Sequence, residues 1–266
     1  MYEFLPLYAK IYLFVITGIL GLVMGSALNC LSYRIAHNQK WSGGRSVCTS
    51  CGHTLGTLDL IPLFSWLFLK GKCRYCGQKI SPRYPLTEAL LALVYISLLW
   101  RFELTLDLVT TLVLCSCLFC LSLVDLETQI IPDRFLLIPA IVRIIQLFVE
   151  NSVTDALLRL IPAVVLGGSV LIISLIMDKI LKKDTMGGGD IKLLAVLGLF
   201  LSPFPLCIPE GLMILFIACI VGIVIGSILM KVDSETPFPF GPALSIAAWI
   251  TLLFGQSLAV WYTNLF

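Results

Sequence analysis

Two aspartates, each at one end of a long apolar run, are the residues of this sequence best suited to chemistry. Asp190 directly precedes one apolar run, and Asp125 ends another. A carboxylate at the mouth of a membrane helix is costly and usually functional. The alternative is structural, with Asp190 capping a helix and Asp125 solvated at a helix end. The residues around Asp190 that we predict to support the site are Gly187, Gly188, Gly189 and Lys192.

A pair of neighbouring carboxylates can catalyse peptide hydrolysis. Two such groups cannot both ionise readily, so they share one proton. The ionised member can activate a water while the protonated member polarises a carbonyl, which needs neither a metal nor a covalent intermediate. The only histidines, His37 and His53, lie in a basic loop, and the sequence contains no Gly-x-Ser-x-Gly. Asp125 and Asp190 are therefore the predicted catalytic pair.

Two matching Cys-x-x-Cys-Gly turns, at 48–52 and 73–77, form a pattern of metal ligands. Two turns of this kind can hold one zinc ion in a closed tetrahedron of thiolates. The predicted ligands are Cys48, Cys51, Cys73 and Cys76. Disulfides or free thiols are the alternative, and a reducing cytoplasm disfavours disulfides. Four protein ligands leave no open position, so we expect a structural zinc rather than a catalytic one.

The composition indicates which elements must position these residues. Of 266 residues, 59% are hydrophobic and 13% are charged, whereas soluble domains carry about 25% charged residues. We expect an all-α polytopic membrane protein with about eight transmembrane helices and a small, cytoplasmic, zinc-ribbon-like domain between the first and second spans. The predicted spans are residues 11–31, 86–100, 106–124, 135–149, 156–177, 191–208, 211–230 and 242–262.

Three parts of the chain follow from this pattern. Residues 1–33 hold the first span, 34–85 form the zinc-binding loop domain, and 86–266 form a seven-span membrane domain with both aspartates. Within the loop domain, residues 60–69 are apolar but too short to span a bilayer. They form either a hairpin core or a segment at the membrane interface.

Basic residues predict the orientation of the spans. With the loop domain inside, fourteen Lys and Arg residues, Lys231 among them, lie on the inner side and three on the outer side. This excess is typical of cytoplasmic segments. Both termini should then lie outside, and both aspartates at cytoplasmic ends of spans. Membrane topology also accounts for the basic loop, so we expect membrane lipid as a partner and no nucleic acid. The sequence contains no signal for an oligomeric state.

Several longer motifs, spread over most of the chain, carry a resemblance. Besides both cysteine turns and Asp125, they are residues 25–29, 33–34, 45–48, 61–66, 71–73, 80–85, 131–133, 186–192 and 239–242. On these motifs the chain resembles the prepilin peptidase family, bifunctional membrane enzymes that process type IV prepilins and pseudopilins. One departure is Leu58-Asp59-Leu60, where the family often has an Asp-Asn pair.

The resemblance implies an activity, a location and a cofactor. The implied reaction is cleavage of a short basic leader after a glycine, at the cytoplasmic face of a bacterial inner membrane. The new N-terminal residue, usually phenylalanine, is then methylated with S-adenosylmethionine as the donor. The family's catalytic aspartates correspond to Asp125 and Asp190, and methyl transfer is associated with the loop domain.

Two other interpretations of the sequence stay open. One is a non-enzymatic membrane scaffold or transporter, whose zinc ribbon binds partners and whose intramembrane acids relay ions. The other is a prepilin peptidase that lacks methyl transfer, against which the intact cysteine turns argue.

Overall fold

The computed structural model describes residues 5–40, 44–183, 186–229 and 239–265. Lys231, which entered the charge count, lies outside the described residues. The chain divides into two compact units, residues 1–108 and 109–266. Within the described residues the regular structure is helical, with two isolated β-bridges and no strand. This confirms the prediction of an α-helical fold.

The first unit pairs two long helices, α1 (Leu7–Ala36) and α3 (Arg83–Phe102), with the short α2 (Phe64–Phe68) between them in sequence. Glycines on α1 let the two long helices approach closely. A Cβ at Gly21 would lie 2.6 Å from the Cα of Ala92, and one at Gly25 would lie 2.9 Å from the Cα of Glu88. Small residues at such contacts are the usual means by which membrane helices pack.

The second unit contains six further helices and most of a seventh. They are α4 (Leu106–Thr128), α5 (Arg134–Glu150), α6 (Val153–Leu158), α7 (Ile161–Leu181), α8 (Gly188–Gly198), α9 (Cys207–Leu229) and α10 (Gly241–Thr263). Helices α7 and α8 are antiparallel and in backbone contact. A Cβ at Gly198 would lie 2.5 Å from the Cα of Ala163, and one at Gly167 would lie 2.6 Å from the Cβ of Ala195.

Six helical segments in the described residues are long and apolar enough to cross a membrane, so the predicted eight spans are not confirmed. The six are Leu7–Ala36, Arg83–Phe102, Leu106–Thr128, Val153–Leu181, Cys207–Ser227 and Gly241–Thr263. The chain is thus a multi-pass membrane protein.

Two predicted spans are missing from that set, for different reasons. Helix α5 has 17 residues and buries the polar side chains of Arg143 and Gln146. Helix α8 has only 11 residues, which is roughly 16 Å, about half the thickness of a bilayer's hydrocarbon core. The apolar run 191–208 is interrupted because Pro203 and Pro205 lack the N–H that a helix needs.

Candidate active site and metal site

Asp125 lies in the last turn of α4 and is 4% exposed, which is incompatible with a solvated helix end. One of its carboxylate oxygens, Oδ2, accepts a 2.9 Å hydrogen bond from the backbone N–H of Gly241, the first residue of α10. The approach is close, since a Cβ at Gly241 would lie 2.8 Å from that oxygen. A residue with a side chain could not occupy position 241 without displacing the carboxylate.

Asp190 lies in the first turn of α8, and Gly187 occupies the N-cap position. The alternative in which Asp190 caps its helix is therefore wrong, because a capping side chain belongs three residues earlier. The backbone N–H of Asp190 donates to the carbonyl of Gly187 at 3.1 Å. The residue before Asp190, Gly189, approaches Ile131, where a Cβ on the glycine would lie 3.1 Å from the Cβ of Ile131, six residues after Asp125. The structure therefore brings the two predicted aspartates to one end of the second unit.

The glycines before Asp190 differ in what surrounds them. A Cβ at Gly189 would lie 3.1 Å from the Cβ of Ile131, so this glycine lets α8 pack on the segment after α4. A Cβ at Gly187 would lie 3.3 Å from Oδ2 of Asp190, whereas one at Gly188 would meet nothing within 4 Å. Gly188 therefore leaves open space beside the first turn of α8.

Lys192, predicted to support the site, forms an ion pair with Asp133. Its Nζ lies 2.9 Å from Oδ1 of Asp133, and the two side chains are 60% and 63% exposed. Asp133 occupies the N-cap position of α5, but its side chain makes no capping hydrogen bond. The pair joins α8 to the start of α5, and at this exposure it contributes about 0–1 kcal/mol.

Two buried charged residues hold the backbone that follows α8. Arg143 of α5 donates from Nε to the carbonyl of Leu199 at 3.2 Å and from Nη1 to Oε1 of Gln146 at 2.6 Å. Glu210 of α9 accepts from both the N–H and the hydroxyl of Ser202, at 2.6 Å each. Arg143 and Glu210 are 8% and 3% exposed. Together they fix the end of α8 opposite Asp190.

Sequence reasoning did not identify Gly241, Arg143 or Glu210 as parts of this arrangement. A signal for the two charged residues was present, because ionisable side chains within apolar runs are costly and are kept for a reason. Gly241 belongs to the motif 239–242 that carries part of the family resemblance, but that motif gives no indication of a contact with Asp125.

The four cysteines of the two turns converge as predicted. The Sγ atoms of Cys48, Cys51, Cys73 and Cys76 all lie within 4.8 Å of one another. Four thiolates on one zinc ion stand about 3.8 Å apart for zinc–sulfur distances near 2.3 Å, so the arrangement fits a tetrahedral ion. Each of these cysteines is free of disulfide bonds. The cluster can therefore bind a metal ion such as zinc.

The two turns have the same backbone construction. Gly52 donates to the carbonyl of Cys48 at 2.9 Å, and Gly77 donates to that of Cys73 at 3.0 Å. Both glycines have φ of +70°, a conformation that other residues rarely adopt. Backbone N–H groups of Cys51 and Ser50 lower the pKa of the Cys48 thiol to about 6. This favours the thiolate, which is the form that binds metals.

Asp59, the departure from the family pattern, connects the parts of the loop domain. It accepts hydrogen bonds from the N–H of Gly56 at 3.0 Å, from Nε of Arg74 at 2.7 Å and from the hydroxyl of Tyr75 at 3.0 Å. These hydrogen bonds, of which the one from the Gly56 N–H has the largest effect, hold the pKa of Asp59 below its usual value. His53 of the first turn lies against the Tyr75 ring, with 3.7 Å between centroids. Asp59 thus has a structural role.

Comparison with known families finds two matching models, one after the other along the chain. Residues 19–102 match the bacterial peptidase A24 N-terminal domain, and residues 112–227 match the type IV leader peptidase family. The first match covers the cysteine turns, and the second covers both aspartates. No solved structure matches the chain.

Three curated relatives match over three quarters or more of their length. The chain is 33% identical to the prepilin leader peptidase/N-methyltransferase of Xanthomonas campestris pv. campestris, covering 91% of this chain and 92% of the relative. It is 32% identical to the protein of that name from Pseudomonas aeruginosa, covering 92% of each. For Aeromonas salmonicida the identity is 38% over 83% of this chain and 75% of the relative.

Proposed function

We propose, from the premise that this chain belongs to the type IV leader peptidase family, that Asp125 and Asp190 form the catalytic pair of a membrane-embedded prepilin peptidase. The enzyme cleaves the leader peptides of type IV prepilins or pseudopilins and methylates the new N-terminus. This function agrees with the names of its relatives. It leaves little support for the alternative of a non-enzymatic scaffold or transporter.

The observation that carries the proposed site is the buried carboxylate of Asp125, held by the Gly241 N–H, with the start of α8, which bears Asp190, packed on Ile131 just after α4. One carboxyl of the pair is protonated and polarises the scissile carbonyl, while the other takes a proton from the attacking water. That proton passes to the leaving amine as the peptide bond breaks. The open space beside Gly188 gives an extended substrate room to approach Asp190.

Contacts within the second unit support eight crossings of the membrane, two of them short. Gly189 packs on Ile131, and Lys192 pairs with Asp133, so the start of α8 lies level with the end of α4. Helix α7 is antiparallel to α8, so α7 begins at the opposite level. Helix α5 must therefore cross the membrane from the side where α4 ends to the side where α7 begins. Helix α8, with the turn that follows it, makes the second short crossing.

The orientation follows from this count and from the basic residues. Both termini lie outside, and both aspartates face the cytoplasm of a bacterial inner membrane. Reporter fusions placed in the loop at residue 40 and after residue 266 should report opposite sides, with the loop inside. Finding both reporters on the same side would contradict eight crossings.

The loop domain, residues 34–85, is the proposed site of methyl transfer and holds one structural zinc through Cys48, Cys51, Cys73 and Cys76. S-adenosylmethionine, when bound, supplies the methyl group. The rings of His53 and Tyr75, tilted by 35° and in contact, offer an aromatic surface of the kind that an adenine base binds. The seven-span membrane domain, residues 86–266, carries proteolysis.

Mass spectrometry of a coexpressed pilin tests both activities in one measurement. We expect the mature pilin to lack its leader and to carry one additional methyl group at its N-terminus. An intact leader in cells that hold the inserted enzyme would contradict the peptidase assignment. A cleaved but unmethylated N-terminus would identify a peptidase that lacks methyl transfer.

Substitution of Gly241 tests whether this residue holds the Asp125 carboxylate in place for cleavage. A Cβ at this position would lie 2.8 Å from Oδ2 of Asp125, so Gly241→Ala should displace that carboxylate and reduce the cleavage rate roughly 10- to 100-fold. The measurement is the initial rate of leader removal at equal enzyme abundance. Gly168→Ala is the matched control, because a Cβ there meets nothing within 4 Å. Equal rates for both variants would remove Gly241 from the site.

A further inference from the structure

The short helix α2 presents an apolar face that no described residue covers. Phe64, Leu67 and Phe68 are 49%, 53% and 82% exposed. Their spacing of three and four residues places them on one side of a helix. Leu60 and Ile61, in the irregular segment before α2, are 41% and 43% exposed. A contiguous apolar surface of this kind marks an interaction site.

The opposite face of α2 is packed, so the direction of the apolar face is fixed. Trp66 donates from its indole Nε1 to the carbonyl of Ile80 at 3.1 Å. Its ring lies over Gly71, where a Cβ would lie 2.8 Å from Cζ2 of the indole. Gly71 has φ of +69°, and its lack of a side chain allows this contact. Helix α2 therefore cannot rotate to bury its phenylalanines inside the loop domain.

A hydrogen bond sets the depth of α2 relative to the membrane. The N–H of Leu63, the residue before α2, donates to Oε2 of Glu88 at 2.7 Å. Glu88 lies in the second turn of α3, and helical side chains point back toward the N-terminus. The Glu88 carboxylate is therefore level with the first turn of α3, near Arg83.

The first turn of α3 lies at the boundary of the hydrocarbon core. Helix α3 has 20 residues, or roughly 30 Å, which is about the thickness of that core. Residues near its start are already apolar and exposed: Leu86 is 67% exposed and Leu90 is 46% exposed. Helix α2 thus begins at the depth where lipid headgroups give way to acyl chains.

We propose that α2 is an interfacial helix that lies on the membrane surface with Phe64, Leu67 and Phe68 inserted into the lipid. Apolar side chains at this boundary bind by the surface that they bury there. Lys70 and Lys72 follow directly and are exposed, which suits anionic phospholipid headgroups. The helix would hold the cysteine turns against the bilayer, where a membrane-anchored substrate emerges.

Photo-crosslinking of the full-length protein tests this contact. The photoreactive analogue p-benzoylphenylalanine replaces Phe68, whose side chain is 82% exposed. The purified protein is reconstituted into liposomes of phosphatidylethanolamine and phosphatidylglycerol, irradiated and analysed by mass spectrometry for lipid adducts. Zinc content equal to that of the unmodified protein shows that the loop domain is folded.

The matched control carries the same analogue at Gln39, which is exposed and just beyond α1. Gly25 is level with Glu88. Helix α1 continues 11 residues beyond Gly25, whereas α3 begins only five residues before Glu88, so the end of α1, which Gln39 follows, lies roughly 9 Å farther from the bilayer than the start of α3. We expect a lipid adduct in the variant with the analogue at position 68 and no lipid adduct in the variant with the analogue at position 39. No lipid adduct at 68, equal adducts at both positions, or crosslinking of 68 to a second copy of the chain would overturn the proposal.

Discussion

Replacement of either Asp125 or Asp190 by asparagine should abolish leader cleavage while the protein remains inserted and retains its zinc. An amide cannot exchange the proton that the mechanism requires, and acid–base groups of this kind contribute about 100-fold or more to a rate. The measurement is cleavage of a leader-bearing pilin by each variant at equal membrane abundance. Asp125→Asn also keeps an oxygen that can accept from the Gly241 N–H, so the packing around it should persist.

The control for this experiment is Asp133→Asn. Asp133 is 63% exposed and pairs with Lys192, a contact that contributes about 0–1 kcal/mol at such exposure. Cleavage by this variant should therefore stay close to that of the unmodified enzyme. Substantial turnover by Asp125→Asn or Asp190→Asn would remove that residue from the catalytic role, and total loss in Asp133→Asn would place Asp133 in the site.

The pH dependence of cleavage follows from the same pair. Two coupled carboxyls are active only when one is protonated and the other is ionised. The cleavage rate of the unmodified enzyme should therefore pass through a maximum as pH rises and fall on both sides. A rate that does not fall at high pH would contradict the need for a protonated carboxyl.

Replacement of Cys73 by serine should abolish methylation and leave cleavage largely intact. Between residues 44 and 82 only Gly71 and Cys73 are buried, so this domain has almost no apolar core. Structural zinc contributes roughly 10–16 kcal/mol to folding in zinc-finger peptides, and its loss should unfold the loop domain. Zinc stoichiometry of the purified protein and the methylation state of a coexpressed pilin are the two measurements.

Cys219→Ser provides the comparison, because Cys219 is an exposed cysteine outside the cluster. This variant should keep both zinc and methylation. Normal methylation by Cys73→Ser would place methyl transfer outside the loop domain, and lost cleavage with normal methylation would reverse the proposed division of labour. If the unmodified protein, purified with its thiols reduced, contained no zinc, the proposed structural zinc site would be wrong.

The elements that local sequence controls could be predicted. Two Cys-x-x-Cys-Gly turns bring their sulfurs together because each turn is set by a few residues and a glycine of positive φ. Gly21 and Gly25 lie on one face of a single helix, so their packing against α3 follows from their spacing of four. Asp125 and Asp190 could be singled out because a carboxylate at the end of an apolar run is costly.

The parts that depend on long-range contacts could not be predicted. The N–H of Gly241 reaches Asp125 across 116 positions of sequence, and no local pattern encodes that pairing. Asp133 has the sequence signature of a capping residue, yet its side chain bonds Lys192 from another helix. The length of α8 is an intermediate case, since Pro203 and Pro205 mark the interruption but hydrophobicity continues across it.

The shortness of α8 affects how the protein enters the membrane. Eleven residues are too few for an apolar segment to be recognised as an independent span during synthesis. Helix α8 should instead insert as a hairpin with α7, whose backbone it touches at Gly167 and Gly198. The glycines of this contact then act during biogenesis, before any substrate is met. Bulkier residues at Gly167 or Gly198 should lower the amount of enzyme inserted in the membrane more than they lower the cleavage rate per inserted enzyme molecule.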